Sequence, residues 1–103
     1  MNKRFRAKIY WLSHKQGGRK KMPFGEKYAP IIKIVNPWNE TRDYWSAFVV
    51  NKERLSENET LSEIEYLSSM APDNIAIGVE FELREGDKLV AKGVVLEEIY
   101  FDI

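Results

Sequence analysis

The sequence predicts an all-β protein, folded as a small antiparallel barrel or sandwich. Short segments rich in β-branched and aromatic residues recur at regular spacing, and turn-forming Gly, Pro and Asn separate them. Apolar and polar residues alternate within most of these segments, as in strands that bury one face. The length of 103 residues, with 44% hydrophobic and 31% charged residues, predicts one globular domain spanning residues 1–103.

Five segments read directly as strands: residues 5–12, 28–35, 44–50, 75–84 and 89–99. The first alternates clearly and predicts one buried face of Phe5, Ala7, Ile9 and Trp11. The second does so with Ile32 and Ile34, and the fourth with Ile75, Ile77, Val79, Phe81 and Leu83. We predict turns at residues 36–43, 72–74 and 84–88, the last with Gly86 at a positive φ angle.

Residues 53–71 are ambiguous. Leu61, Ile64, Leu67 and Met70 recur at a spacing of three, which is typical of one face of a helix. A period of two fits only part of the segment, through residues 62–66. The local pattern therefore favours a helix here.

The formal net charge is zero, but the charges are unevenly distributed. Residues 1–33 hold ten Lys and Arg against one acid, a net charge of +9, and the other 70 residues hold six basic and fifteen acidic residues, a net charge of −9. Such asymmetry can mark a basic face for a polyanion. It is equally compatible with basic strands that pair with acidic strands in one sheet.

Several kinds of chemistry are not expected. Without cysteine there is no disulfide or thiolate metal site, and the single histidine, His14, cannot pair with Ser13 if strand neighbours point to opposite faces. The GGRKK segment lacks the spacing and the Ser or Thr of a nucleotide-binding loop. We therefore expect no enzymatic activity, no cofactor, no metal and no nucleoside triphosphate.

No run of about 18 apolar residues predicts a membrane-spanning helix. The basic N-terminus is followed by an apolar run, residues 9–12, that is too short for the core of a signal peptide. We expect a cytoplasmic protein that does not contact a membrane.

Two segments carry a resemblance to a known family. Residues 7–30, AKIYWLSHKQGGRKKMPFGEKYAP, and residues 78–95, GVEFELREGDKLVAKGVV, resemble the opening and the closing hairpin of the C-terminal (third) domain of bacterial elongation factor Tu. Direct matches in the first segment are Ala7, Tyr10, Leu12, Ser13, Gly17, Gly18, Arg19, Tyr28 and Pro30, with Pro23 and Phe24 matching after one inserted residue. Direct matches in the second are Gly78, Phe81, Arg84, Glu85, Gly86, Val90, Gly93, Val94 and Val95.

The resemblance covers nearly the whole chain, although residues 36–60 match poorly. It implies a six-stranded antiparallel β-barrel as a stand-alone domain. It also implies that residues 59–67 form a strand, against their helical spacing, and we follow that implication because spacing over so short a window is weak evidence.

The resemblance further implies candidate binding residues, because the family's domain contacts the T-stem of tRNA and a nucleotide exchange factor. Arg19 and Gly86 match the family's tRNA contacts, and Lys20 stands where the family has His. Ile31 replaces a contacting Gln and Ala71 a contacting Lys. Part of the tRNA-facing pattern is therefore missing.

Two functions follow. The first is a protein-interaction domain related to translation, with candidate aromatic anchors at Trp11, Trp38, Tyr44 and Trp45. The alternative is a tRNA- or RNA-binding module in which Arg19, Lys20 and Lys21 contact phosphates and the Gly86 backbone approaches the chain. Both predict that these four residues face RNA or an acidic partner.

Overall fold

The computed structural model describes residues 4–23, 28–35, 44–67 and 76–99 of the chain. In this part of the chain the elements are β1 (Arg4–Trp11), a 3-10 helix (His14–Gln16), β2 (Ile31–Val35), β3 (Tyr44–Arg54), β4 (Glu59–Tyr66), β5 (Glu80–Glu85) and β6 (Lys88–Ile99). The predicted all-β class is confirmed.

The six strands form one closed barrel in the order β1-β4-β3-β2-β5-β6. Every neighbouring pair is antiparallel, and β6 pairs with β1 to close the ring. Closure pairs the outermost strands of the sheet with each other, so neither is left as an open edge. The six-stranded antiparallel barrel expected from the sequence is confirmed.

The inward faces of the strands form one hydrophobic core. Along β1, Phe5, Ala7, Ile9 and Trp11 are buried, as their alternation predicted. The core is completed by Ile32, Ile34, Ala47, Val49, Ile64, Tyr66, Phe81, Leu83, Val90, Ala91 and Val95. Phe81 packs edge-on against Phe5, with ring centroids 5.9 Å apart.

Residues 59–66 are a strand, so the helical spacing of this segment was misleading. The buried face of β4 carries Thr60, Ser62, Ile64 and Tyr66. Two of these four residues are small and polar, which concealed the period of two from a hydrophobicity pattern. Their hydroxyls are buried because a hydrogen-bond network, described below, satisfies them.

Three strand boundaries differ from the sequence prediction by more than one residue. β3 continues to Arg54. β2 begins only at Ile31, and Tyr28 makes an isolated bridge to Val49 outside the strand. β5 begins at Glu80, and Ile77, which we expected on the buried face, lies before the strand and is 75% exposed. The predicted turns at 36–43 and 72–74 lie outside the described residues, as does Ile75.

The basic β1 lies between β4, which carries Glu59, Glu63 and Glu65, and β6, which carries Glu97 and Glu98 near its end. Arg4 pairs with Glu65 of β4 at 3.3 Å and Lys8 with Glu59 of β4 at 3.2 Å. Arg6 pairs with Glu97 of β6. Three of the ten basic residues in residues 1–33 are therefore paired with acids on neighbouring strands, in line with the second interpretation of the charge asymmetry.

Within the described residues, no helix has the length and apolar character needed to cross a membrane.

Candidate binding site at the loop end of the barrel

Three connections meet at one end of the barrel. They are residues 12–23 after β1, residues 55–58 between β3 and β4, and the turn of Gly86 and Asp87 between β5 and β6. They lie together because, in an antiparallel ring, β1, β3 and β5 finish where β4, β6 and β2 begin. We call this the loop end, and all four predicted binding residues lie there.

The backbone of the first connection requires its two glycines. Ser13 caps the 3-10 helix by accepting a hydrogen bond from the Gln16 amide, and Gly17 ends the helix at φ +89°. A Cβ on Gly18 would lie 2.1 Å from the carbonyl oxygen of Leu12. Gly17 thus supplies a left-handed turn and Gly18 a close backbone approach.

Arg19 is turned towards the barrel rather than outwards. Its Nη1 donates to Glu85 Oε2 at 2.5 Å, and its Nε donates to the Lys21 carbonyl at 3.1 Å. Its guanidinium lies 4.7 Å from the ring centroid of Tyr28, whose hydroxyl also donates to Glu85 Oε2. The Gly-Gly-Arg loop and the Arg-Glu-Gly turn, 66 residues apart in the chain, are joined by this contact.

The charges of this cluster stabilise one another. Burial raises the pKa of the Tyr28 phenol, and its hydrogen bond to Glu85 raises it further, so it stays protonated as a donor. Burial also acts to raise the pKa of Glu85, but hydrogen bonds from Tyr28 and Arg19 outweigh it and lower the pKa overall. For Arg19, burial acts to lower the pKa, and the hydrogen bond to Glu85 reverses this, so the net pKa is raised.

Lys15, Lys20 and Lys21 are exposed at the same end and form no ion pair with any other described residue. With Arg19 they line an open groove between residues 12–22 and the β3–β4 turn. The remaining lining residues are Tyr10, Trp11, Leu12, Ser13, His14, Gln16, Met22, Arg54, Glu57 and Asn58. Among the described residues of this lining, Glu57 is the one acidic side chain, against five basic ones.

A buried hydrogen-bond network fixes the loop to the barrel. Asn51 Nδ2 donates to the Pro23 carbonyl at 2.9 Å, and its Oδ1 accepts from Ser62 at 2.6 Å and from Thr60 at 3.1 Å. Trp11 Nε1 in turn donates to Thr60 at 2.9 Å. Because buried polar groups are costly when unpaired, this network ties the loop to β1, β3 and β4 together.

The structure places the other predicted residues as follows. Gly86 forms the β5–β6 turn at φ +62°, as expected. Ile31, which replaces a family Gln, is half-buried and pairs with Arg84 and Ser46, and Ala71 lies outside the described residues. Ser13 and His14 are both exposed, and Ser13 is occupied as a helix cap.

The candidate aromatic anchors divide between core and surface. Trp11 is only 4% exposed and donates its indole N–H inside the barrel, so it is a core residue and not an interface anchor. Trp45 is half-buried and packs against the core. Tyr44 is 50% exposed, and Trp38 lies outside the described residues.

Sequence reasoning missed two groups of this site. Glu85 and Tyr28 were noted only as matching positions, and neither was assigned as a partner of Arg19. Arg54 was missed entirely, because one Arg after a strand carries no local signal. Its guanidinium donates to the carbonyls of Ser56 and Glu57, at 3.2 Å and 3.0 Å. These hydrogen bonds hold the Arg54 side chain across the turn and against the groove.

The fold and the charges of this end define a small closed β-barrel with a preorganised basic loop. No protein-family model matches the chain. In the part of the chain that the structure describes, no three His, Asp or Glu side chains come together as a possible metal site.

Proposed function

We propose that this chain is a non-enzymatic protein-interaction module, related to the third domain of elongation factor Tu and acting in translation in the cytoplasm. Its partner presents an acidic surface, which docks on Lys15, Lys20 and Lys21 at the loop end. The relation to that family is supported by the six-stranded antiparallel barrel and by the contact between its two motif segments.

The orientation of Arg19 carries the choice of a protein partner over RNA. Arg19 is the residue expected to grip a phosphate, since its planar guanidinium suits bidentate contacts. Here that group is occupied by Glu85, Tyr28 and the Lys21 carbonyl. To grip a phosphate, Arg19 would have to give up these partners, which is unfavourable.

Acidic residues also flank the basic groove on both sides. Glu85 and Asp87 lie in or beside the β5–β6 turn, and Glu53 and Glu59 lie beside the β3–β4 turn. A nucleic-acid duplex, with a charge about every 1.7 Å along its axis, would extend beyond the lysines onto these carboxylates. A compact acidic patch on a protein would not.

An affinity capture with purified chain as bait tests this function. The wild-type chain and the Lys20→Gln/Lys21→Gln variant are compared on extract treated with nuclease, and each retained protein is then purified and its direct binding measured. We expect a protein that binds the wild-type chain directly and the variant at least about fivefold more weakly, as for lost close charge pairs.

Direct titration with tRNA is the second arm of the test. Binding of tRNA that weakens steeply with added salt, together with loss of all captured proteins after nuclease treatment, would instead establish an RNA-binding module. Absence of any directly binding protein would also overturn the proposal.

A further inference from the structure

We infer that the groove at the loop end binds a short, extended, acidic peptide segment that inserts one apolar side chain between the lysines. The inference rests on the proposed protein-interaction function and specifies the partner's docking element. The groove has two walls, the loop of residues 12–22 and the β3–β4 turn, and is open along its length.

Part of the groove lining is apolar. Tyr10, on the outer face of β1, is 38% exposed, and Leu12 and Met22 are each half-buried, with Met22 packed against the core. Such partly exposed apolar side chains between polar walls resemble the centre of an interface, where an anchor side chain is desolvated. One inserted apolar residue would cover these three side chains.

The walls are positive. Lys15, Lys20 and Lys21 come from the loop and Arg54 from the turn, while Glu57 supplies the acidic charge. Carboxylates on either side of the inserted residue would therefore meet a cation on each wall. Lysines are flexible point charges that accept carboxylates in varied geometries, which suits a peptide without fixed side-chain positions.

The backbones of both walls are preorganised, so binding would have to order only their flexible side chains. The loop is fixed by the Ser13 cap, by the amides of Gly17 and Gly18, which donate to the carbonyls of His14 and Ser13, and by the Asn51 bond to the Pro23 carbonyl. The turn is fixed by Arg54, which donates to the carbonyls of Ser56 and Glu57, and by hydrogen bonds from the Ser56 hydroxyl and the Leu55 amide to Glu59. A groove with a fixed backbone loses less conformational entropy on association, which favours a short linear ligand.

Labelled synthetic peptides and fluorescence anisotropy test the inference on the full chain. One probe is a five-residue Asp/Glu peptide with a central Leu, a second has Ser in place of Leu, and a third has Asn and Gln in place of the acids. We expect the first to bind, the second to bind at least about fivefold more weakly, and the third not to bind measurably.

Matched variants locate the binding. Lys20→Gln/Lys21→Gln should lower the affinity for the first peptide about tenfold. Lys33→Gln/Lys52→Gln removes the same charge outside the groove and should change that affinity less than about twofold. Tyr10→Ser should abolish the preference for Leu over Ser. Tyr44→Ser, on an exposed tyrosine of β3, should leave that preference intact.

The outcomes separate this inference from the proposed function. Three results would overturn the inferred peptide site, even if a captured protein still binds the chain directly. They are no binding of the first peptide, equal effects of the two lysine pairs on its affinity, or no effect of Tyr10→Ser on the preference for Leu. Tighter binding of a 20-base-pair RNA duplex than of the first peptide, lost in Lys20→Gln/Lys21→Gln, would overturn both.

Discussion

At Gly18 the backbone passes so close to Leu12 that a side chain would overlap the Leu12 carbonyl oxygen. Gly17 is different, since a Cβ there has open space within 4 Å and only the positive φ angle disfavours it. We predict that Gly17→Ala lowers the free energy of unfolding by about 1 kcal/mol. Gly18→Ala should lower it by about 2 kcal/mol or more, because neighbouring backbone must move.

Urea unfolding followed by tryptophan fluorescence measures both changes. Equal losses for the two variants, or a larger loss at Gly17, would contradict the close approach at Gly18. The amide of Gly18, which donates to Ser13, should also lose protection from hydrogen exchange in Gly18→Ala.

Glu85 links the stability of the loop end to pH. Its pKa is lowered in the folded state, as hydrogen bonds from Tyr28 and Arg19 outweigh the effect of burial. A lowered pKa contributes stability that is complete above the unfolded value of about 4.3 and is lost as the pH falls through the folded-state value. We predict that Glu85→Gln destabilises at pH 7 by about 1 kcal/mol, a value reduced by partial exposure.

Unfolding measured at pH 7 and at pH 3 checks this prediction. The difference between wild type and Glu85→Gln should shrink in acid, because Glu85 of the unfolded chain takes up a proton at a higher pH than Glu85 of the folded chain. Glu80→Gln, on an exposed acid of β5, serves as the control and should change stability little at either pH. A constant difference at both pH values would show that the ionised carboxylate is not the stabilising group.

At the scale of elements, Asn51 connects the loop to three strands. Asn51→Ala removes the bond to the Pro23 carbonyl and leaves the buried hydroxyls of Thr60 and Ser62 with fewer partners. We predict a loss of about 2 to 4 kcal/mol in the free energy of unfolding, because buried polar groups lose their hydrogen bonds. The rate of hydrogen exchange at the loop amides should also rise in this variant.

The matched control for this variant is Ser46→Ala, which removes an exposed hydroxyl from the same strand. Its effect should stay within about 0.5 kcal/mol, as for other surface substitutions. If Asn51→Ala were as mild as the control, the network would not be what fixes the loop.

The outer faces of β1 and β4 give a second prediction at this scale. Arg4 Nη2 and Glu65 Oε2 lie 3.3 Å apart, and both side chains are about one third exposed. Arg4→Glu should destabilise by a few tenths of a kcal/mol through like charges on paired strands, and Arg4→Glu/Glu65→Arg should recover most of the loss. The coupling in this double-mutant cycle should fall with added salt, and its persistence at 1 M salt would argue against an electrostatic origin.

For the whole barrel, Gly93 and Phe81 form one packing unit across β5 and β6. A Cβ on Gly93 would lie 2.3 Å from the end of the Phe81 ring, which fills the core against Phe5. We predict that Gly93→Ala costs about 1 to 3 kcal/mol through overpacking. Combined with Phe81→Leu, it should cost less than the sum of the two single changes, because the smaller side chain leaves room.

Thermal and urea unfolding of the three variants measure this coupling. Strict additivity of Gly93→Ala and Phe81→Leu would contradict direct packing of the ring on the glycine. The test concerns the barrel as a whole, since Gly93 also lies opposite Ile9 of β1.

The sequence by itself determined the features that depend on local period and local conformation. The alternation of Phe5, Ala7, Ile9 and Trp11 predicted their burial, because strand side chains point to opposite faces in turn. Gly86 was predicted in a turn with a positive φ angle, and its φ angle is +62°. These properties follow from single residues and their immediate neighbours.

Only the tertiary structure decided the features that depend on partners distant in the chain. β4 reads as a helix by itself and is a strand because Asn51 satisfies its buried hydroxyls and because β1 and β3 pair with it. Arg19 reads as an outward-facing cation and is held inward by Glu85, 66 residues later. A hydrogen-bond partner or a neutralising charge brought close by folding leaves no trace in local pattern. Only the folded barrel therefore shows that Arg19 is paired, whereas Lys15, Lys20 and Lys21 form no ion pair with another described residue.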